Sequence, residues 1–139
     1  VVVSVHSKFN MTKEEMTKRI VRAMRHPRVH ILAHPTGRIL GRREPYPVDM
    51  ETVVRAAADH GVWLEVNAQP DRLDLNDLHI QMAKEAGAKL VISTDAHRTE
   101  ELEHMRYGVD QARRGWCEAH DVVNTQPLDG LLHLLEQKR

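Results

Sequence analysis

The chain has 139 residues, of which 41% are hydrophobic and 29% charged, and its 20 Lys and Arg balance 20 Asp and Glu. These values fit one globular domain or a part of one, and zero net charge excludes a strongly basic domain that holds nucleic acid by bulk electrostatics. A single cysteine excludes a disulfide framework and Cys-rich zinc motifs and fits a reducing compartment, and no apolar run approaches the ~18 residues of a membrane span.

The first predicted unit is a strand followed by a helix. A β-branched run at 1–5 predicts a buried strand, and Thr12 and Glu15 have the spacing of a capping box that opens a helix. Pro27 ends that helix. Because the chain begins on a buried strand, without a polar lead-in, we expect it to be a piece of a longer protein.

The second unit repeats this order. A strand is predicted at 29–33, and a loop rich in proline and glycine follows at 34–47. Asp49 is placed to cap the next helix, and Gly61 is placed to end it.

Two further units complete the alternation. A strand at 62–66 leads to a helix that we expect Asp74 to cap and Leu78 to help bury. A strand at 89–93 precedes a helical stretch at 99–114. Short helical pieces complete the chain, and the last is expected to dock through Leu131, Leu132, Leu134 and Leu135.

This alternation predicts an α/β fold with parallel strands, either an open sheet or half of a barrel. Neither GxGxxG nor GxxxxGK[ST] occurs in the sequence. Dinucleotide-binding and P-loop functions therefore lack their main support.

Polar side chains follow each predicted strand. They are His6, His34, Asn67 and the pair Asp95 and His97. Ligands of parallel α/β folds bind beyond the carboxyl ends of the strands, and imidazole and carboxylate suit zinc, manganese and iron(II). A single histidine at a strand end is more often structural. Their repetition at equivalent positions favours a hydrolytic metal site with His6, His34, Asp95 and His97 as ligands.

Arginines lie in the loops that should surround this site. They are Arg38, Arg42, Arg43, Arg72 and Arg98. Guanidinium groups match phosphate geometry, so we expect Arg38, Arg42 and Arg72, together with Asn67, to contact substrate. Arg43 is more simply a solvated surface charge. Glu65 faces the same side of its strand as Asn67 by alternation and is a weaker candidate.

Four segments resemble the later motifs of the PHP (polymerase and histidinol phosphatase) family. They are Ser-Val-His-Ser at 4–7, His-Pro-Thr-Gly-Arg at 34–38, the run from Glu65 to Leu75, and Ser-Thr-Asp-Ala-His at 93–97. Segments at 42–46, 105–108 and 112–116 are similar to the C-terminal PHP domain of bacterial and archaeal family X DNA polymerases.

The resemblance implies a fold and a ligand set. Residues 1–139 would be the C-terminal part of a PHP domain, truncated at its N-terminal side and forming about half of a distorted (β/α)7 barrel. The complete barrel holds up to three divalent ions, zinc or manganese. His6 and His34 would bind one ion, Asp95 a second and His97 a third, with Asp95 and His97 acting in catalysis.

The implied activity is 3′–5′ exonuclease and related 3′-end processing of DNA in base-excision repair, in a cytoplasmic bacterial or archaeal protein. The implied partners are DNA 3′ ends, the N-terminal half of the PHP domain and the polymerase domains. The family's opening His-x-His motif, a further upstream histidine and its bridging glutamate are absent, so we expect the chain alone to bind metal poorly and to be nearly inactive. Exposed strand edges would favour self-association. Two alternatives are a small-molecule phosphatase of the histidinol-phosphate kind and a non-catalytic module that steadies the polymerase or binds DNA.

Overall fold

The computed structural model describes residues 1–137, in which strands and helices alternate. The strands are β1 (Val2–Val3), β2 (Ile31–Leu32), β3 (Trp63–Asn67) and β4 (Leu90–Ser93). The helices are α1 (Lys13–Met24), α2 (Met50–His60), α3 (Asp77–Glu85), α4 (Met105–Arg114) and α5 (Leu128–Gln137). Short 3₁₀ turns occupy Thr99–His104, Ala119–Asp121 and Val123–Thr125.

The four strands form one parallel sheet in the order β1-β2-β3-β4. Leu32 pairs with Leu64, and Leu64 pairs with Leu90, which fixes the register across the sheet. The α/β prediction is confirmed, and the sheet is consistent with part of a parallel βα barrel. Its parallel order brings all four carboxyl ends to one edge.

The first two helices begin and end where their sequence signals predict. The Glu15 N–H donates to Thr12 Oγ1 at 3.2 Å, and the Glu15 carboxylate accepts from the Thr12 N–H at 3.0 Å, which completes the capping box. Asp49 caps α2 and Gly61 ends it in the left-handed conformation. Each helix contributes buried apolar side chains to the core.

The start of α3 differs from the prediction. Asn76 is the N-cap, and its side chain accepts from the His79 N–H at 2.8 Å. Asp74 is fully buried, because the chain turns back after β3 and pairs Asp74 with Asn67 in an antiparallel bridge. Leu78, expected on the buried face, is 70% exposed, and Ile80 is buried instead.

The last helix packs less closely than predicted. No residue of α5 that the structure describes is fully buried, and Leu132 is 48% exposed. Leu131, Leu134 and Leu135 are half-buried. Within residues 1–137, no helix is both long and apolar enough to cross a membrane.

The strand β3 lies at the centre of the core, and all five of its residues are buried. The two sheet edges differ. At the outer edge of β4, the Asn124 side-chain amide accepts from Ile92 N–H at 3.1 Å and donates to Ile92 O at 2.8 Å, while Val122 bridges to Leu90. On the outer side of β1 no strand of the described part of the chain pairs.

Candidate functional site

Two histidines meet at the strand ends. His6 Nε2 lies 3.4 Å from His34 Nε2, and their rings stack with centroids 5.3 Å apart. Zinc–nitrogen bonds of about 2.0–2.1 Å place two ligand nitrogens of a tetrahedral ion about 3.3–3.4 Å apart. The two nitrogens therefore have the separation that a shared metal ion requires.

The electrostatic setting of His34 favours its metal-binding form. Burial lowers the pKa of the His34 imidazole below its usual value, and the nearby Arg72 guanidinium lowers it further. A neutral imidazole is the form that coordinates a metal.

Backbone strain occurs at two of the predicted ligands. His34 has φ of 31° and Asp95 has φ of 51°, both in the left-handed region that side-chain-bearing residues seldom adopt. Each lies two residues beyond the end of its strand. Such strain persists only where surrounding contacts impose it, and it concentrates at functional sites.

Glu65 supplies one of these contacts from β3. Its carboxylate is buried and accepts the His34 N–H at 2.5 Å, the Asn67 side-chain N–H at 3.2 Å and the Ser93 hydroxyl. Burial raises the pKa of this carboxyl, and the donors from Ser93, His34 and Asn67 oppose the rise. Glu65, which strand alternation marked as a weak candidate, thus lies at the centre of the network under the site.

Asn67 links the same network to Asp95. Its Nδ2 donates to Asp95 Oδ2 at 3.2 Å, while Gln69 Nε2 donates to Asp95 O at 3.2 Å and Arg72 Nε lies 3.7 Å from Asp95 Oδ2. Asn67 is 0% exposed. It therefore lies beneath Asp95 as a support and not at the rim where we expected it to contact substrate.

His97 lies at the exposed end of this edge. Its Nδ1 is 2.8 Å from Asp95 O, and its backbone N–H donates to the Glu101 carboxylate at 2.7 Å. Across residues 1–137 no three His, Cys, Asp or Glu side chains are arranged to hold one metal ion. Of the predicted ligands the structure brings His6 and His34 together, and no third donor among the described residues joins them.

The predicted substrate arginines differ in their surroundings. Arg38 points inward and donates to the backbone carbonyls of Arg72, at 2.8 Å, and Leu73. Arg72 lies beside Asp95 with 19% of its side chain exposed, whereas Arg42 is solvent-exposed. Arg43 is not simply solvated, because its Nε donates to Gly37 O at 2.9 Å.

Asp74 is a second buried carboxylate, and it supports a loop of the site where we expected a helix cap. Its Oδ2 accepts the N–H groups of Thr36 and Gly37, each at 3.0 Å, so it holds the loop that begins at His34. Burial raises the pKa of Asp74 to about 6. Its partners are 37 and 38 residues away in sequence, where no local pattern could mark the contact.

Comparison with known proteins identifies relatives over most of the chain. The chain is 44% identical over 128 residues, or 92% of its length, to the DNA polymerase/3′-5′ exonuclease PolX of Bacillus subtilis (strain 168). This chain is a PolX-type PHP sequence. The family resemblance drawn from the motifs is thus confirmed.

Other relatives of this PHP sequence are phosphatases by name. The chain is 28% identical over 91% of its length to a probable phosphatase of Thermoanaerobacter sp. (strain X514). It is 34% identical over 61% of its length to a probable phosphatase of Shewanella sp. (strain ANA-3). The chain spans 22% of PolX and 51% of the Thermoanaerobacter protein. No protein-family model matches the chain.

Proposed function

We propose that the chain is part of a PHP-domain phosphoesterase that depends on divalent metal ions, zinc or manganese, and hydrolyses phosphodiester bonds at DNA 3′ ends. The observation that carries the proposal is the His6–His34 pair, whose Nε2 atoms lie 3.4 Å apart at the carboxyl ends of adjacent strands. The DNA substrate is supported by the 44% identity to a protein named as a 3′-5′ exonuclease.

Each residue around the His6–His34 pair has its own role in the proposed reaction. His6 and His34 would hold a divalent ion, and the chemistry that such an ion would supply is a hydroxide nucleophile and polarisation of the phosphoryl oxygen. Asn67 and Arg72 hold the Asp95 carboxylate in place. From this position Asp95 orients the attacking water and takes its proton. The exposed edge of Arg72 meets the substrate phosphate.

His97 and the remaining arginines complete the assignment. His97, which is exposed beside Asp95, serves as a ligand of another ion or as the proton donor to the leaving oxygen. Arg42 contacts the substrate from the rim. Arg38 Nε and Nη2 donate to the carbonyls of Arg72 and Leu73, which leaves Nη1 to bind a phosphate oxygen.

We also propose that residues 1–139 form the later part of a PHP barrel. The chain spans 22% of PolX, which leaves room in such a protein for more ligands and for polymerase domains. Up to three ions, zinc or manganese, would then occupy the complete site, in the cytoplasm of a bacterial or archaeal cell. With only two ligands gathered, the chain alone should bind metal weakly.

The replacement Asp95→Asn tests the catalytic assignment. In a longer protein that carries this chain within a complete PHP domain, it should lower 3′-exonuclease rate on 5′-labelled DNA by about 10² or more, the scale of losing one acid–base group. Gap-filling rate and the thermal midpoint should remain unchanged. Asp59→Asn, which changes an exposed carboxylate on α2, is the matched control. Equal rates for Asp95→Asn and the control would refute the assignment.

A small-molecule phosphatase is the second candidate, favoured by the probable phosphatase that matches 91% of the chain. The two functions separate by substrate. A phosphatase would hydrolyse phosphomonoesters such as histidinol phosphate faster than it shortens DNA, whereas the proposed nuclease would do the reverse. A non-catalytic module would do neither with zinc or manganese present.

A further inference from the structure

Positive charge is concentrated in one segment of this electrically balanced chain. Residues 8–28 contain seven Lys and Arg against two Glu, a local formal charge of +5, whereas the whole chain has a net charge of zero. Such a patch raises the local concentration of anions and accelerates their association.

This segment forms one side of a groove. A cavity of about 440 Å³ lies between the loop that follows β1 and the exposed face of α1. It is lined by four cations, Lys8, Lys18, Arg19 and Arg22, and by one carboxylate, Glu15. We call it the α1 groove. Arg19 Nη1 donates to Ser7 O at 2.9 Å and so ties the helix to the loop. The groove walls are therefore held together by a contact that does not depend on a ligand.

The α1 groove adjoins the candidate metal pair at one residue. Ser7, which lines the groove, is the residue after His6. This end of the groove is therefore close to the place where a 3′ end would bind at the strand-end site.

Most of the groove's charge is available to an anion. Lys18 pairs with Glu14 at 2.6 Å on the exposed surface, and such exposed pairs contribute little. Among the described residues, no carboxylate lies within salt-bridge distance of Lys8 or Arg22. Glu15, which also lines the groove, accepts from Thr12 in the capping box, so the four cations leave the groove with an excess of positive charge.

We infer that the α1 groove binds the phosphate backbone of a nucleic-acid strand whose 3′ end lies at the His6–His34 site. The inference rests on the proposed function for the identity of the polyanion. Nucleic acid is favoured over an acidic peptide because the groove adjoins, at Ser7, a site proposed to cleave phosphodiesters, and a nucleic-acid strand carries a phosphate at every nucleotide.

The test is the salt dependence of DNA binding by the chain. A fluorescein-labelled single strand is titrated in EDTA, so that binding does not depend on metal, and its affinity is followed by anisotropy at several salt concentrations. Each phosphate contact contributes about 0.7 to the slope of log K against log salt for single strands. The double variant Lys18→Gln/Arg22→Gln should lower that slope by about 1.4 and weaken binding at low salt by on the order of tenfold or more.

A matched variant controls for general charge loss. Arg55 pairs with Glu51 at 2.5 Å and is 71% exposed, and Lys18 pairs with Glu14 at 2.6 Å and is 75% exposed. Both pairs are i,i+4 pairs on a helix surface, but Arg55 lies on α2 outside the groove. Lys18→Gln should therefore reduce the slope by about 0.7, and Arg55→Gln should leave it unchanged.

Three results would overturn the inference. They are an absence of DNA binding by the unmodified chain, equal effects of Lys18→Gln and Arg55→Gln, and stronger competition by poly-glutamate than by an unlabelled DNA strand. The proposed function is tested separately, by metal-dependent hydrolysis of bis(p-nitrophenyl) phosphate in a complete PHP domain. DNA binding that depends on the groove residues, without that hydrolysis, would support the inference about the α1 groove and refute the proposed phosphoesterase activity.

Discussion

Replacing Asp74 by Asn should remove one pH-dependent component of stability. Asp74 is fully buried, and its Oδ2 accepts two backbone N–H groups at 3.0 Å. Asn retains the size of the side chain and one acceptor oxygen but does not titrate. The difference in unfolding free energy between the two proteins therefore isolates the protonation of this carboxyl.

The structure sets the sign and size of the effect. Burial raises the pKa of Asp74 from 3.8 to about 6, so the folded state binds a proton that the unfolded chain has already lost. This contribution is full below the unfolded pKa and is lost as pH rises through about 6. A gap of about two pKa units corresponds to about 3 kcal/mol, of which about 2 kcal/mol is lost between about pH 4.5 and 7.5.

Urea unfolding at pH 4.5, 6 and 7.5 measures this difference. The stability of the unmodified protein should fall by about 2 kcal/mol relative to Asp74→Asn over this range, with equal m-values. Asp71→Asn removes an exposed carboxylate of the same loop and is the matched control for the loss of one charge. A difference that stays constant with pH for Asp74→Asn would refute the argument that burial dominates this carboxyl.

Two further replacements test the loop and the site. Gly37 has a φ of 66°, and in Gly37→Ala the new Cβ would clash with the Tyr46 ring, so this change should lower the free energy of unfolding by about 2–4 kcal/mol. Gly87, with a φ of 77°, faces open space, so Gly87→Ala should cost about 1–2 kcal/mol. Equal costs in denaturant unfolding would contradict the predicted clash. Asn67→Ala removes the hydrogen bond that holds Asp95 and should lower kcat for 3′-end hydrolysis roughly 10- to 100-fold with little change in KM. If steady-state kinetics show only a raised KM, Asn67 binds substrate instead of supporting Asp95.

The order of strands and helices could be predicted because local signals specify it. Thr12, Asp49 and Gly61 each act within a few residues of their own helix, and all three have the predicted role. Strand lengths could not be predicted equally well. The runs at 1–5 and 29–33 each contribute two residues to the sheet, since pairing depends on where a neighbouring strand runs alongside.

The position of the candidate site was predictable for a topological reason. Parallel strands bring their carboxyl ends together, so the residues after each strand reach one edge wherever the strands begin. The contacts that hold them were not predictable. Arg38 bonds to carbonyls 34 and 35 residues away, and a sequence without a known register does not show which distant backbone a side chain will reach.

The side chain of Asn124 blocks one edge of the sheet, so that only the β1 edge of this chain can pair with another strand. It occupies the hydrogen-bonding groups of Ile92 at the β4 edge, while Val1 and Val2 at the other edge are 65% and 59% exposed. If the β1 edge of one chain paired with the β4 edge of the next, the chains would form a fibre, which needs both edges to be free. If the β1 edge pairs only with the β1 edge of a second copy, across a two-fold axis, the assembly is complete with two chains. For the isolated chain, pairing through the β1 edge is therefore expected to stop at a symmetric dimer, whereas in a longer protein the preceding part of the proposed barrel would occupy that edge.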